Sequence, residues 1–175
     1  MALLRNDPHP GVRHDALIAL GNLERPSRSD DMFDDRFVTM LVDLYRTDRD
    51  SRIRTEVVKT CRLIPNNSAA IRGVLQDALV DLDGSVRAEA LGAITPQVVG
   101  GQPKLSFEAA RMTVVAALKD PNPGVRLGGV RALNVFGAPA REYLPILERI
   151  RDSDPDALVR SSAQLAIEAI RRSIR

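Results

Sequence analysis

The chain has 175 residues, of which 44% are hydrophobic and 3% aromatic, so it can bury the core of one domain or of a short array of small units. Its formal net charge of +2 gives no strong field that would indicate DNA or an anionic membrane as a partner. The single cysteine, Cys61, excludes an internal disulfide framework and a cysteine-built zinc site. The sequence contains neither a signal-peptide pattern at its start nor 18 consecutive apolar residues, so we expect a soluble, cytoplasmic protein.

One short pattern recurs along the chain. It consists of an Asp and, six positions later, an Arg that directly follows Val or Ile. The successive arginines are 41, 33, 39 and 34 residues apart, which is the range of two-helix repeats. The five copies are Asp7 to Arg13, Asp48 to Arg54, Asp81 to Arg87, Asp120 to Arg126 and Asp154 to Arg160.

Each copy is predicted to be the tight turn before a second helix. Two positions after the Asp stand good N-cap residues in four copies, and Pro10 and Pro123 occupy first helical positions that tolerate proline. Counted from the motif Arg, apolar or small residues fall at positions −1, +3, +4 and +7, which form one helical stripe. Position +3 is usually small, which favours close helix packing. The N-cap residues are Asp50, Asp83, Asn122 and Asp156; the stripe reads Val12, Ala16, Leu17 and Leu20 in the first unit and Val86, Ala90, Leu91 and Ile94 in the third.

An apolar stretch long enough for a helix precedes four of the turns, and breaker-rich loops separate the units. The pattern predicts helix, tight turn, helix and looser loop in series, with no strands. The predicted first helices are 37–45, 71–80, 107–118 and 143–150, and the loops are 24–31, 64–68, 95–103 and 137–139.

These elements together resemble the HEAT-repeat family. The resemblance rests on the Asp-x5-Arg turns, on the small residue at +3 and on Pro145 inside the first helix of the last unit. It covers nearly the whole chain. It implies an all-α fold: a right-handed, armadillo-type α-solenoid of about five two-helix repeats, the first truncated, whose second helices line a concave face that binds partners. The expected units of this single domain are 1–24, 32–65, 68–96, 104–137 and 138–175. Neither end reads as a polar capping repeat, so we expect a module of a larger protein or assembly, with end-to-end contact or a continued solenoid as further possibilities.

The resemblance also gives the recurring acid–base pairs a structural role. In HEAT-like solenoids the turn Asp accepts backbone N–H groups at the start of the second helix, while the Arg reaches a neighbouring turn. We therefore expect a structural ladder and not catalysis. Its members are Asp7, Arg13, Asp48, Arg54, Asp81, Arg87, Asp120, Arg126, Asp154 and Arg160.

Other chemical signals are weak. His9 and His14 lack the further ligands that a metal would need, and no phosphate loop, nucleophile elbow or zinc-protease motif occurs. Cys61 falls at position +7, so we expect a buried, inert thiol. The acidic residues Asp30, Asp31, Asp34 and Asp35 are interpreted as a solvated loop and favourable charge at a helix start. We predict no catalytic residue, cofactor or metal site.

The candidate partner surface is the outward side of the second helices. If the stripe is core, positions +1, +2 and +5 face outward, and the +2 row changes from acidic to uncharged along the chain. The +2 row is Asp15, Glu56, Glu89, Gly128 and Ser162, and the +5 row is Ile18, Lys59, Gly92, Arg131 and Leu165. The predicted contact residues are Asp15, Glu56, Lys59, Glu89 and Arg131.

The sequence thus predicts a non-enzymatic scaffold or regulatory module that binds another protein or peptide through its concave face. Two alternatives stay open. A bilin-lyase-like HEAT protein would be an enzyme, but no catalytic constellation supports it. A nucleic-acid-binding HEAT-like solenoid is suggested by the dominance of Arg, 22 of 25 basic residues, yet the outward rows are of mixed charge and lack aromatics.

Overall fold

The protein is represented by a computed structural model that describes residues 7–23, 35–64, 68–94 and 107–175. Within these ranges the chain is helical and forms no strand. The helices are α1 (Pro10–Leu23), α2 (Asp35–Thr47), α3 (Ser51–Leu63), α4 (Ala69–Ala78), α5 (Gly84–Leu91), α6 (Phe107–Ala117), α7 (Pro123–Phe136), α8 (Leu144–Ser153) and α9 (Ala157–Ser173), and a 3-10 segment spans Ala138–Tyr143.

Side-chain caps fix where four second helices begin. The side chains of Asp50, Asp83 and Asn122 each accept the backbone N–H two residues ahead, at the starts of α3, α5 and α7. Asp156 accepts two such N–H groups at the start of α9. These contacts satisfy backbone donors that a helix start otherwise leaves unpaired. The predicted N-caps are confirmed.

The helices stack in series. Each second helix packs against the next one, in the order α1, α3, α5, α7 and α9. The first helices α2, α4, α6 and α8 each pack against the second helix of the same unit. Contacts therefore run mainly between neighbours along the chain, and the architecture is an α-solenoid with a continuous core between its two layers of helices.

The predicted stripe forms this core. In α3 all four of its residues are completely buried, including Cys61, as predicted: Ile53, Val57, Val58 and Cys61. Two residues at stripe positions are exposed, because burial also depends on the neighbouring helices. Val12 remains 42% exposed, since no described first helix covers it, and Gln164, at position +4 of the last second helix, is exposed. Ile94 is buried although α5 ends at Leu91, so a turn and not a helix carries it.

Glycines in α7 allow the close approach that the small +3 position predicts. A methyl group on Gly129 would lie 3.2 Å from the carbonyl oxygen of Val114 in α6. On Gly128 it would lie 2.8 Å from a methyl carbon of Leu91 in α5. The Gly-rich helix is therefore a packing feature, because side chains here would push the layers apart.

Gly137 ends α7 in a conformation that sequence reasoning did not predict. Its φ of 59° lies in the left-handed region that favours glycine, and its N–H donates to the carbonyl of Leu133. The chain then forms the 3-10 segment before α8, where the sequence predicted only a loop followed by helix from residue 143.

Candidate functional site

The motif arginines join consecutive turns. The Nε and Nη2 atoms of each of four arginines donate to the two carboxylate oxygens of the Asp in the next turn, at 2.8 to 3.0 Å. Such bidentate, charge-assisted bonds fix both distance and orientation. The pairs are Arg13–Asp48, Arg54–Asp81, Arg87–Asp120 and Arg126–Asp154.

The same residues also hold their own turns. The Nη1 atom of Arg126 donates to the carbonyls of Asp120 and Pro121, and the other motif arginines make the equivalent bond to the Asp of their own turn. Each turn Asp in addition accepts the backbone N–H two residues ahead, as Asp154 does from Asp156. The carboxylates thus accept bonds both from their own turn and from the Arg of the preceding turn.

Burial and charge pairing act in opposite directions on the pKa of the ladder carboxylates. The paired side chains are only 5% to 19% exposed. Bonds from the Arg126 guanidinium hold the pKa of Asp154 below its usual value, against the opposing effect of burial. Burial is the largest single influence on Asp81 and raises its pKa, but Arg54, the backbone N–H of Asp83 and the Tyr45 hydroxyl together outweigh it, so the net shift is downward. Tyr45 donates to the Asp81 carboxylate at 3.1 Å, and burial beside that charge raises the pKa of the phenol.

The ladder changes at the two ends of the described chain. Arg160 bonds to the carbonyls of its own turn, Asp154 and Pro155, and no described Asp accepts its remaining donors. Asp7 accepts the N–H of His9, and no described Arg of a preceding turn reaches it. On α9, the exposed Gln164 side chain donates to Glu168.

We predicted that the +2 row faces outward, but two of its three acidic side chains are largely buried. Glu89 is 25% exposed and forms an ion pair with Arg62 of the preceding second helix. Glu56 is 14% exposed and pairs with Lys59. Only Asp15 is open, at 85% exposure. Position +2 lies at the junction between neighbouring second helices, so the predicted acidic-to-neutral gradient is largely neutralised within the chain.

The outward side of the second helices is defined by positions −2, +5 and +9, which lie opposite the stripe on a helix. We call these positions the second-helix face. Of the predicted contact residues, Lys59 and Arg131 lie on this face and are exposed. Gly92, also at +5, is half-buried, and the guanidinium of Arg62 fills the space that its side chain would take.

Sequence reasoning listed Leu165 in the +5 row but missed that the face carries further exposed apolar side chains. Large apolar side chains are exposed at all three of these positions. Counting positions −2 and +9 in addition to +5 would have revealed them. They are Leu63 (50% exposed), Val135 (45%), Leu158 (55%) and Leu165 (61%).

The two histidines lie in the first described turn and near the start of α1. His9 is 81% exposed, His14 lies 3.5 Å from Asp15, and the described residues contain no cluster of three or more His, Cys, Asp or Glu that could hold a metal ion. Asp30, Asp31 and Asp34 lie outside the described residues, and Asp35 is the exposed first residue of α2. Among the described helices none combines the length and the apolar character that crossing a bilayer requires.

Comparison with known proteins identifies the architecture. The model of HEAT repeats matches residues 71–168, more than half of the chain. The chain belongs to the HEAT-repeat family. Curated protein sequences give no match.

Solved structures share this fold at low sequence identity. A designed armadillo repeat protein in complex with the peptide (KR)4 matches with a TM-score of 0.67 and 23% identity over 96% of this chain and 79% of its own. Cex1p matches with a TM-score of 0.67 and 22% identity over 95% of this chain and 34% of its own. An engineered protein matches with a TM-score of 0.60 and 24% identity over 98% of this chain and 77% of its own.

Proposed function

We propose that this HEAT-repeat chain is a non-enzymatic scaffold or regulatory module that binds a segment of another protein along its second-helix face. The observation that carries the proposal is the exposed apolar row Leu63, Val135, Leu158 and Leu165 on helices whose other sides are packed. Exposed apolar side chains that recur on one face indicate an interaction surface more than isolated ones do.

The repeated architecture supports an extended partner. Successive second helices present equivalent positions side by side, so a peptide that crosses them meets one helix after another. Fold relatives include designed armadillo proteins made for modular peptide recognition and one solved with a peptide. The ladder carboxylates are occupied by bonds to the motif arginines, whereas side chains on the second-helix face are exposed.

Within the predicted contact set, the proposal gives most weight to Lys59 and Arg131, which are exposed on the face. Asp15 is open but lies at position +2 of the first unit. Glu56 pairs with Lys59 on the face, and Glu89 pairs with Arg62 of the preceding second helix.

Selection from a random peptide library displayed on phage tests the proposal. Peptides selected on the purified wild-type chain are measured again with Leu165→Asp, and with Met112→Asp as a matched control. Met112 is 79% exposed on the first helix α6, away from the face. We expect Leu165→Asp to abolish most of the binding and Met112→Asp to leave it intact. Peptides that bind Leu165→Asp as tightly as the wild type, or a failure to select any peptide, would contradict the proposed function.

A further inference from the structure

The second-helix face changes in character along the array. On α3 its basic residues are compensated: Arg52 pairs with Asp50 and Lys59 with Glu56. On α7 and α9, which pack directly against each other, three of its residues are exposed and apolar. These are Val135, Leu158 and Leu165, at 45%, 55% and 61% exposure.

Arg131 lies on the same face of α7 and has no acidic partner among the described residues. It is exposed at position +5 of α7, and no carboxylate among the described residues forms an ion pair with it. Helix α7 has no acidic residue at all, and the undescribed segment 95–106 contains one Lys and no Asp or Glu. Within the described ranges, the charge of Arg131 is therefore available to a bound group.

The acidic residues of α5 and α9, the second helices that pack against α7, already have partners. Glu89 of α5 is paired with Arg62, and Glu168, the one acidic residue of α9, accepts from Gln164. Asp156 caps the start of α9 through backbone N–H groups. Within the described residues, the second-helix face of α7 and α9 thus combines an unpaired cation with exposed apolar side chains.

We infer that the second-helix face of α7 and α9 recognises an extended peptide segment in which an acidic side chain is flanked by apolar ones. The carboxylate pairs with the guanidinium of Arg131, since Arg is the side chain best shaped for carboxylates. The flanking apolar side chains cover Val135, Leu158 and Leu165 and remove their surface from water. The inference rests on the proposed function and specifies the chemistry of the partner.

Short fluorescent peptides test this chemistry with the full chain by anisotropy. The probes alternate Asp with Leu, Lys with Leu, or Asp with Ser, and a single-stranded oligonucleotide serves as a fourth probe. We expect the Asp-Leu peptide to bind best, Arg131→Glu to weaken it at least about tenfold, and the same variant to gain affinity for the Lys-Leu peptide. Arg149→Glu, a charge reversal at an exposed position of the first helix α8, is the matched control and should change neither affinity.

The outcomes separate the inference from the proposed function. Preference of the wild-type chain for the Lys-Leu peptide or the oligonucleotide, or an Asp-Leu affinity that Arg131→Glu leaves unchanged, overturns the inference. If a peptide of other chemistry binds and Leu165→Ser abolishes its binding, the proposed function stands while the inference falls. Unchanged melting temperatures of the variants exclude unfolding as the cause of lost binding.

Discussion

The turn ladder and the second-helix face are built on opposite principles. Along the ladder the same Arg-to-Asp contact recurs between turns with nearly the same distances, from Arg13–Asp48 to Arg126–Asp154. On the face, position +5 holds Lys59 in one repeat, Gly92 in the next, then Arg131 and Leu165. The Arg–Asp contacts that recur in every repeat hold the repeats together. The residues at position +5 differ from repeat to repeat, so they can determine which partner binds.

The largest effect on stability should come from removing one Arg–Asp pair between two turns. Arg126→Ala leaves the Asp154 carboxylate, only 5% exposed, without its guanidinium, and we expect the free energy of unfolding to fall by about 2–3 kcal/mol in denaturant titration. Arg160→Ala is the control, since Arg160 bonds only to its own turn, and its cost should be clearly smaller. Equal losses in the two variants would contradict a ladder that joins repeats.

A smaller loss is expected where second helices meet. Gly128→Ala places a methyl group against Leu91 and should destabilise the chain by roughly 1–2 kcal/mol. Gly73→Ala in α4 meets nothing within 4 Å and should stabilise it by about 0.5–1 kcal/mol through helix propensity. Thermal and denaturant unfolding of both variants compare the two positions. A gain of stability in Gly128→Ala would show that α5 and α7 are not in close contact there.

Acid should weaken the ladder. The carboxylates of Asp81, Asp120 and Asp154 have a pKa below the usual value, and Arg52 lowers the pKa of the cap residue Asp50 to about 2. A carboxylate with a lowered folded-state pKa contributes stability that is fully present above its unfolded pKa, near 4, and is lost as the pH falls through the folded value. The free energy of unfolding should therefore decrease from pH 5 to pH 2.

Asp154→Asn sharpens this prediction. Its stability at pH 7 should be lower than that of the wild type, and its further loss between pH 5 and pH 2 should be smaller, because one titrating group of the ladder is gone. Urea unfolding at a series of pH values measures both quantities. Parallel pH profiles for the two proteins would mean that Asp154 does not contribute to the acid sensitivity.

Substitutions on the second-helix face should hardly affect stability. Arg131→Glu and Leu165→Ser remove exposed groups with few packing contacts, so the free energy of unfolding should change by no more than about 0.5 kcal/mol. Their effect should appear in peptide binding alone. A large loss of stability in either variant would show that these side chains support the fold.

The sequence predicted the parts of the fold that depend on local pattern. Spacing located the turns, and the N-caps and the buried stripe followed from residue type, as Asp83 and Leu91 illustrate. The orientation of position +2 was not predictable in this way, because it depends on how far each second helix is rotated against its neighbour. The pair Arg62–Glu89 comes from that rotation. The left-handed Gly137 and the 3-10 segment after it depend on how the last unit packs, with Ser173 of α9 beside Gly137.

A double-mutant cycle across Arg126 and Asp154 tests most directly whether the recurring pairs hold the repeats together. The cycle compares the free energies of unfolding of wild type, Arg126→Ala, Asp154→Ala and the double variant, and isolates the interaction between the two side chains. We expect a coupling energy above about 1 kcal/mol, because the pair is bidentate and nearly buried. Additive losses, with a coupling energy near zero, would contradict the assignment of the ladder as the link between repeats.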